Sequence, residues 1–455
     1  MARSTSARTR LQLATRASSL SAVAAAVAVS GVSAAHAARP ATPAASYTIT
    51  IGTSVPLSSG LKPLADGINK SVQLAVLQAN AKHVLPNVTF QARLLDDTVG
   101  NNYSPDKDAA NARTLIADNT VLGEVGPLNS GAAEASMPIY NNAGLVQISP
   151  ANTLIALTDP SNLAKFQPAT AANPSQNPRT YFRTAATDFY QGAGGARFAA
   201  QVAHFKTVYV TDNKDPYGVG LAGQFKINAA KLGMRVLGSG ELEPNQPQMG
   251  ARSLATVIKN VTGGNVDLVY FGGEFGTQGG AEFLAGALHR AGMMHTVFMG
   301  GDGIYDPAFI TAATPAVADG SYATSVGYPN IPASNSSISL PQSTHTFVAA
   351  FQKQYPGSEI AGYNFAAYDA ANVEIQAIVN AVKNGTLKLS ASGSGAKANR
   401  AAVATALAAL HGFSGNTGVI SFDKNGDTTA RIISVYKAVG PNFNFVGYAP
   451  GFGGR

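Results

Sequence analysis

Apolar residues in this chain switch repeatedly between the two-residue period of a strand and the 3.6-residue period of a helix. No other feature limits the fold as much. Residues 47–52 read as a strand, and 71–81 as a helix with Val72, Ala75, Val76 and Ala79 on one face. Strand 88–95, helix 109–118, strand 121–126, helix 132–142 and strand 145–148 follow. A second run opens with helix 189–205. It continues through strand 207–211, helix 220–232, strand 235–238, helix 251–261, strand 266–271, helix 280–291 and strand 296–299. Such alternation builds a parallel sheet covered by helices on both faces. Between the runs Pro160, Pro168, Pro174 and Pro178 crowd with Asn, Thr and Gln, so 158–180 reads as a surface loop. A length of 455 residues exceeds one compact core, and two similar runs predict two α/β lobes. With 13% charged residues, 47 Gly and 24 Pro, neither a coiled coil nor a charged disordered chain fits.

Beyond 340 the pattern gives helices 343–354, 363–383 and 400–410, with a Gly/Ser-rich linker at 390–395. The tail segments 418–422 and 431–436 are expected to pair as a hairpin around Asn425-Gly426.

The N-terminus reads as a leader. Arg3, Arg8, Arg10 and Arg16 precede an apolar stretch at 20–29, and small residues end in Ala35-His36-Ala37. The apolar stretch is shorter than the roughly 20 residues that cross a bilayer. Residues 1–37 are therefore expected to be a cleaved signal and 38–46 a flexible entry; an interfacial anchor is the competing reading. Removing those four arginines from the net +7 leaves +3, so the pI of about 9.4 is partly a leader effect. No nucleic-acid surface is read from it. The chain has no Cys, hence no thiol to carry a lipid at the cut site and no disulfide. A soluble periplasmic or secreted protein is expected.

Several motifs dissolve on inspection. The seven His show no metal-ligand spacing, so no metal and no cofactor is expected. No G-x-S-x-G elbow occurs. The segment Asp423-Lys424-Asn425-Gly426-Asp427 begins like a calcium loop but has Ser434 where the closing Glu belongs, which favours a turn. Gly218-Val219-Gly220-Leu221-Ala222-Gly223 matches G-x-G-x-x-G literally. In a dinucleotide site, however, the first Gly leaves the strand directly, whereas 212–217 intervene here. Those glycines are expected to begin a helix packed close to its sheet.

Three loops at strand ends suit a small ligand, because open α/β sheets bind there. In Gly126-Pro127-Leu128-Asn129-Ser130-Gly131, Ser130 is placed as a helix cap whose free N–H groups can hold a carboxylate. Ile148-Ser149-Pro150-Ala151-Asn152-Thr153 offers hydroxyl and backbone groups, and Met299-Gly300-Gly301-Asp302-Gly303 sets one carboxylate among glycines. Tyr217 and Tyr363 would add flat apolar walls. The set describes a zwitterion receptor, with plain capping and a surface turn as the alternatives for the first and third loops.

With Gly52-Thr53-Ser54-Val55-Pro56-Leu57-Ser58-Ser59-Gly60, Leu95-Asp96-Asp97, Asp215-Pro216-Tyr217-Gly218 and Tyr270-Phe271-Gly272-Gly273 added in order, 47–448 resembles a known family. It is similar to the periplasmic substrate-binding proteins of branched-chain amino-acid ABC transporters, the leucine/isoleucine/valine-binding type. The resemblance implies a type I periplasmic binding fold: two doubly wound parallel-sheet lobes joined by a three-strand hinge. Lobe one would comprise 47–186 plus 329–428, and lobe two 187–328 plus 429–455. It further implies that Ser130 and Thr153 bind an α-carboxylate, that Ala151 offers a carbonyl to the ammonium, and that Asp302 pairs with that ammonium. Asn129, Tyr217, Phe275 and Tyr363 would line the cleft. The implied function is a monomeric, non-enzymatic receptor that closes on an amino acid, branched-chain or related, and delivers it to permease subunits. Departures are Leu61 or Leu64 where an aromatic is frequent, and Glu274-Phe275 in place of a Tyr pair. Alternatives are a receptor for an aromatic acid, amide or urea, a sensory module, and an exported hydrolase.

Overall fold

The computed structural model describes residues 46–244, 246–330, 339–360, 362–390 and 394–453. The leader, its expected cut and the entry up to 45 lie outside them, as does 391–393 of the Gly/Ser-rich linker. Two sheets carry the fold. The first is wholly parallel, with five strands in the order Val88–Asp96, Tyr47–Val55, Val121–Val125, Val146–Ser149, Tyr181–Arg183. The second has seven strands, in the order Asn442–Tyr448, Ile433–Val439, Tyr322–Val326, Val297–Gly300, Leu268–Gly272, Thr207–Asp212, Arg235–Glu241. Its last five are parallel, and the two at the other edge are antiparallel.

Helices begin where the sequence supplies caps. Ser104 accepts from the Lys107 N–H (3.3 Å) and Pro105 opens helix Pro105–Ala117; Asp215 accepts from the Tyr217 N–H (3.0 Å) and Pro216 opens helix Pro216–Lys231. Helix Lys62–Ala81 starts nine residues earlier than the periodicity suggested, because Leu64, Ala65 and Ile68 continue its buried face. It lies against the long helix Asn364–Lys383, joined to it by Asn364 Nδ2 to the Gly67 carbonyl (3.2 Å).

Two expectations are corrected. Segment 158–180 is not a bare loop. It holds helices Leu163–Phe166 and Pro168–Ala172, buries Phe166, and is pinned when Asn141 donates to Thr170 (2.8 Å) and Thr180 (3.1 Å). The tail does not fold back as one hairpin either. Asn425-Gly426 does turn, with only a Phe422–Thr428 bridge around it. Strand Ile433–Val439 instead pairs with Tyr322–Val326 and, across Gly440, with Asn442–Tyr448. Both faces of that strand are buried over most of its length, which an isolated ribbon cannot provide and a sheet interior can.

The chain passes between the sheets at three places: after Arg183, after Val326, and between Ile420 and Ile433. These passages touch one another. Gly327 accepts from the Ser434 hydroxyl (2.7 Å), Tyr328 donates to the Asn416 carbonyl (3.1 Å), and the Arg183 N–H donates to Gly426 (3.1 Å).

The glycine-rich segment is explained by packing. Gly218, Gly220 and Gly223 lie within helix Pro216–Lys231, not at the mouth of a strand. A Cβ on Gly218 would stand 2.6 Å from the Gly272 carbonyl oxygen, so the helix and the Leu268–Gly272 strand end approach backbone to backbone. Gly218→Ala is expected to cost about 1–3 kcal/mol, as overpacking does, visible as a lower urea midpoint. An unchanged midpoint would rule that contact out.

Candidate ligand-binding site

Loops from the C-terminal strand ends of both sheets meet along one seam. From the first sheet, 126–129 and 150–154 follow strands Val121–Val125 and Val146–Ser149; from the second, 213–215, 273–275 and Gly301 follow Thr207–Asp212, Leu268–Gly272 and Val297–Gly300.

On the first side, helix Ser130–Ala143 is capped by Asn129, whose carbonyl accepts from the Ala132 and Ala133 N–H groups (3.1 and 3.2 Å). Ser130 is thus the first helical residue and not the cap, a one-residue correction that leaves its hydroxyl buried and without a hydrogen-bond partner among the described residues. The Asn129 side chain does not cap its helix. It crosses the seam and donates to Glu274 Oε1 (3.0 Å). The second loop is held from below: Ser149 Oγ donates to the Pro127 carbonyl (2.9 Å) and accepts from the Ala151 and Asn152 N–H groups (3.1 and 2.8 Å). Asn152 Nδ2 ties that loop to the Leu128 carbonyl (2.8 Å). Ala151 and Thr153 are buried within it, and the Thr153 carbonyl accepts from the Asp188 N–H (2.8 Å).

On the second side Asp302 is fully buried. Its Oδ1 accepts from Gln191 Nε2 (2.9 Å) and the Tyr217 hydroxyl (2.9 Å), while Oδ2 has no hydrogen-bond partner among the described residues. Tyr217 also accepts from the Gly303 N–H (3.2 Å). Tyr363, which caps the Asn364–Lys383 helix, brings its hydroxyl near enough to favour the charged form of Asp302. The structure thus gathers Asp302, Tyr217 and Tyr363, and joins Asn129 to the opposite loop. Phe275 is held beside Asp302 by its backbone. Its ring packs in the apolar core and its N–H donates to the Gly303 carbonyl (3.2 Å).

The seam holds further groups absent from the sequence-derived set. Glu274 accepts from Asn129 and from Asn213 Nδ2 (2.9 Å). Tyr103 from the first side donates its hydroxyl to Asp215 on the second. Asp188, at the start of helix Asp188–Arg197, is buried beside the Thr153 hydroxyl, which is near enough to favour its charged form though not in hydrogen-bond geometry. Glu274 had one signal, its place beside Phe275 where the family resemblance calls for an aromatic pair. Asp188 and Gln191, one helical turn apart, had none.

Burial dominates the titration of these acids. It pushes Asp188 up to about 8 against the opposing Thr153 hydroxyl, with the Asp302 charge adding to the rise. Glu274 is pushed up to about 8 by burial and then by the Asp215 charge. Elsewhere in the first lobe burial raises Asp108 to about 7 and Glu374 to about 8. The folded chain therefore keeps protons that an unfolded one, with ordinary values of 3.8 and 4.5, releases. Stability from these groups is fully present below about pH 4 and is lost as pH rises through 7 to 8. Acids such as Asp96, where hydrogen bonds from Ser58, Thr98 and Leu57 outweigh burial, act oppositely, but only below their ordinary range. The ligand-free protein is expected to melt several degrees lower at pH 9 than at pH 5. A calorimetric melting temperature that is flat or rises over that interval would contradict the burial of these carboxyls.

Comparison with known proteins fits this architecture. A family model described as periplasmic binding protein matches residues 48–440. The chain belongs to the periplasmic binding protein family. That family consists of solute-binding proteins, not enzymes, and this member is an extracytoplasmic solute receptor. It is 26% identical over 389 residues to the Leu/Ile/Val-binding protein BraC3 of Rhizobium johnstonii, covering 86% of this chain and 91% of that one. Among solved structures it resembles the branched-chain amino acid binding protein LivJ of Streptococcus pneumoniae in complex with isoleucine. The TM-score is 0.68 at 21% identity, over 88% of this chain and 99% of that one. A Rhodopseudomonas palustris solute-binding protein in complex with 4-hydroxybenzoate has the same TM-score of 0.68, at 15% identity over 88% and 96% of the two chains. These two likenesses place the fold as type I.

Proposed function

We propose that this receptor captures a small amino acid between its lobes, gripping the two charged ends from opposite sides, and delivers it to ABC transporter permease subunits. The observation that carries the reading is Asp302: a fully buried carboxylate whose Oδ2 has no hydrogen-bond partner among the described residues, at a seam whose other side holds the Ser130 and Thr153 hydroxyls, likewise without one among those residues. Burying a zwitterion is costly unless each charge is met, and this array meets both. The carboxylate would take the Ser130 and Thr153 hydroxyls with the first N–H groups of helix Ser130–Ala143; the ammonium would take Asp302 Oδ2 and the Ala151 carbonyl. Tyr217 and Tyr363 would wall the site. Hinge closure would bring lobe two, 187–328 plus 429–455, over a ligand first bound by lobe one, 47–186 plus 329–428. Relatives named for leucine, isoleucine and valine support the ligand class, and a leader cleaved after Ala37 would deliver a monomer to the periplasm.

Native mass spectrometry of the purified protein, followed by calorimetry with the molecule found, tests the reading. An amino acid is expected. The fold's likeness to a 4-hydroxybenzoate complex makes a nitrogen-free acid the second reading, although such a ligand leaves Asp302 buried without a cation. Thermal stabilisation by 4-hydroxybenzoate, with none from any amino acid, would reverse the choice.

A further inference from the structure

Hydrogen-bond acceptors are left over at the seam. Lobe two turns three buried carboxylates toward it, Asp302, Glu274 and Asp215, and Asp188 stands at the crossing. Three amides serve them. Asn213 donates to Glu274 (2.9 Å), and the other two leave their oxygens over. Gln191 spends its Nε2 on Asp302 (2.9 Å) and Asn129 spends its Nδ2 on Glu274 (3.0 Å). Their carbonyl oxygens, Gln191 Oε1 and Asn129 Oδ1, are buried with no partner among the described residues. These amide oxygens are independent of the acids, and they too demand a donor. Arg183 cannot supply one. Its guanidinium is taken by Asp427 (2.6 Å), by the carbonyls of Asn152 and Leu154 (3.1 and 2.8 Å) and by Thr158 (2.5 Å).

One α-ammonium cannot satisfy this set. Its three hydrogens would be drawn by Asp302 Oδ2 and the Ala151 carbonyl, leaving Asn129 Oδ1 without a donor and Glu274, whose oxygens accept from the neutral amides of Asn129 and Asn213, without a cation. A Cβ on Gly303 would lie 3.1 Å from both Glu274 Cγ and Tyr217 Cε1, so the Glu274 stem runs beside the turn that carries Asp302. A second carboxylate thus flanks the ammonium site, held on the side of the seam where Asn129 introduces the carboxylate-binding helix.

We propose that Glu274, positioned by Asn129 and Asn213, makes this receptor select amino acids with a cationic side chain, of the ornithine, lysine or arginine kind, over aliphatic ones. The inference rests on the amino-acid reading and departs from the aliphatic ligands in the relatives' names. An aliphatic side chain would leave Glu274 protonated and Asn129 Oδ1 without a donor, whereas a side-chain cation holds Glu274 ionised, pairs with it and donates to Asn129 Oδ1. The discrimination comes mainly from the penalty on the wrong ligand.

Calorimetry with L-lysine, L-arginine, L-leucine and L-norleucine, the last being lysine without its side-chain ammonium, tests it directly. Lysine or arginine is expected to bind at least roughly tenfold tighter than norleucine. Glu274→Gln is expected to erase most of that ratio by weakening the cationic ligands alone. Should that variant fail to fold, the wild-type ratio decides by itself. Leucine or norleucine binding as tightly as lysine and arginine overturns the selectivity while keeping the amino-acid reading. Binding of 4-hydroxybenzoate with no amino acid bound overturns both.

Discussion

Asp302→Ala is expected to weaken amino-acid binding about a hundredfold while leaving the fold intact. Truncating one member of a buried charge pair costs roughly 2–5 kcal/mol, much of it from the charge left behind, and each 1.4 kcal/mol is a factor of ten. Here the loss is compounded, because Gln191 Nε2 and the Tyr217 hydroxyl both lose the oxygen to which they donate. Asp302→Asn should lose less, since an amide oxygen still accepts from one of them, but it cannot offer the ammonium a negative charge. In the free protein the Asp302→Ala substitution removes both a buried acid whose ionisation burial opposes and the acceptor of two buried donors, so gain and loss offset and the melting temperature should change little. Titration calorimetry on wild type and variant reads the outcome; equal affinities would remove Asp302 from the site.

Arg183→Met should be the most damaging single change to the scaffold. The guanidinium is fully buried and ties three separate segments: the Asn152–Leu154 carbonyls, the Thr158 hydroxyl and the Asp427 carboxylate of the third inter-lobe passage. Breaking a buried pair by removing one partner costs about 3–5 kcal/mol. The lower end is expected, because Asp427 keeps partial contact with water, with 21% of its side chain exposed. The two carbonyls freed by the change belong to the loop that holds Thr153, so ligand affinity should fall together with the melting temperature. A variant that melts and binds as wild type does would show the network to be dispensable.

Much of the architecture was legible before any coordinates. Alternating periods gave both sheets, and caps such as Asp215-Pro216 marked helix starts where they occur. Of the three loops singled out at strand ends, the first two are tied together by Ser149 and Pro127, and the first reaches the second sheet through Asn129 and Glu274. The glycines of the G-x-G-x-x-G segment were expected in a helix packed close to its sheet, and Gly218 stands there against Gly272. The tail was misjudged because a strand buried on both faces has the same local signal as half a hairpin. Segment 158–180 was misjudged because its helices are only four and five residues long, too short to show a period.

Sequence alone carried the order of the longer elements and the expectation that a ligand sits at the C-terminal strand edge, because both follow from local periodicity and from parallel-sheet connectivity. Tertiary structure alone decided the partners: Asn129 with Glu274 across 145 residues, Arg183 with Asp427 across 244, Tyr103 with Asp215 across 112. No local pattern specifies such pairs. The charge a buried carboxyl carries depends on how much water and which donors surround it, and only the packed chain sets those.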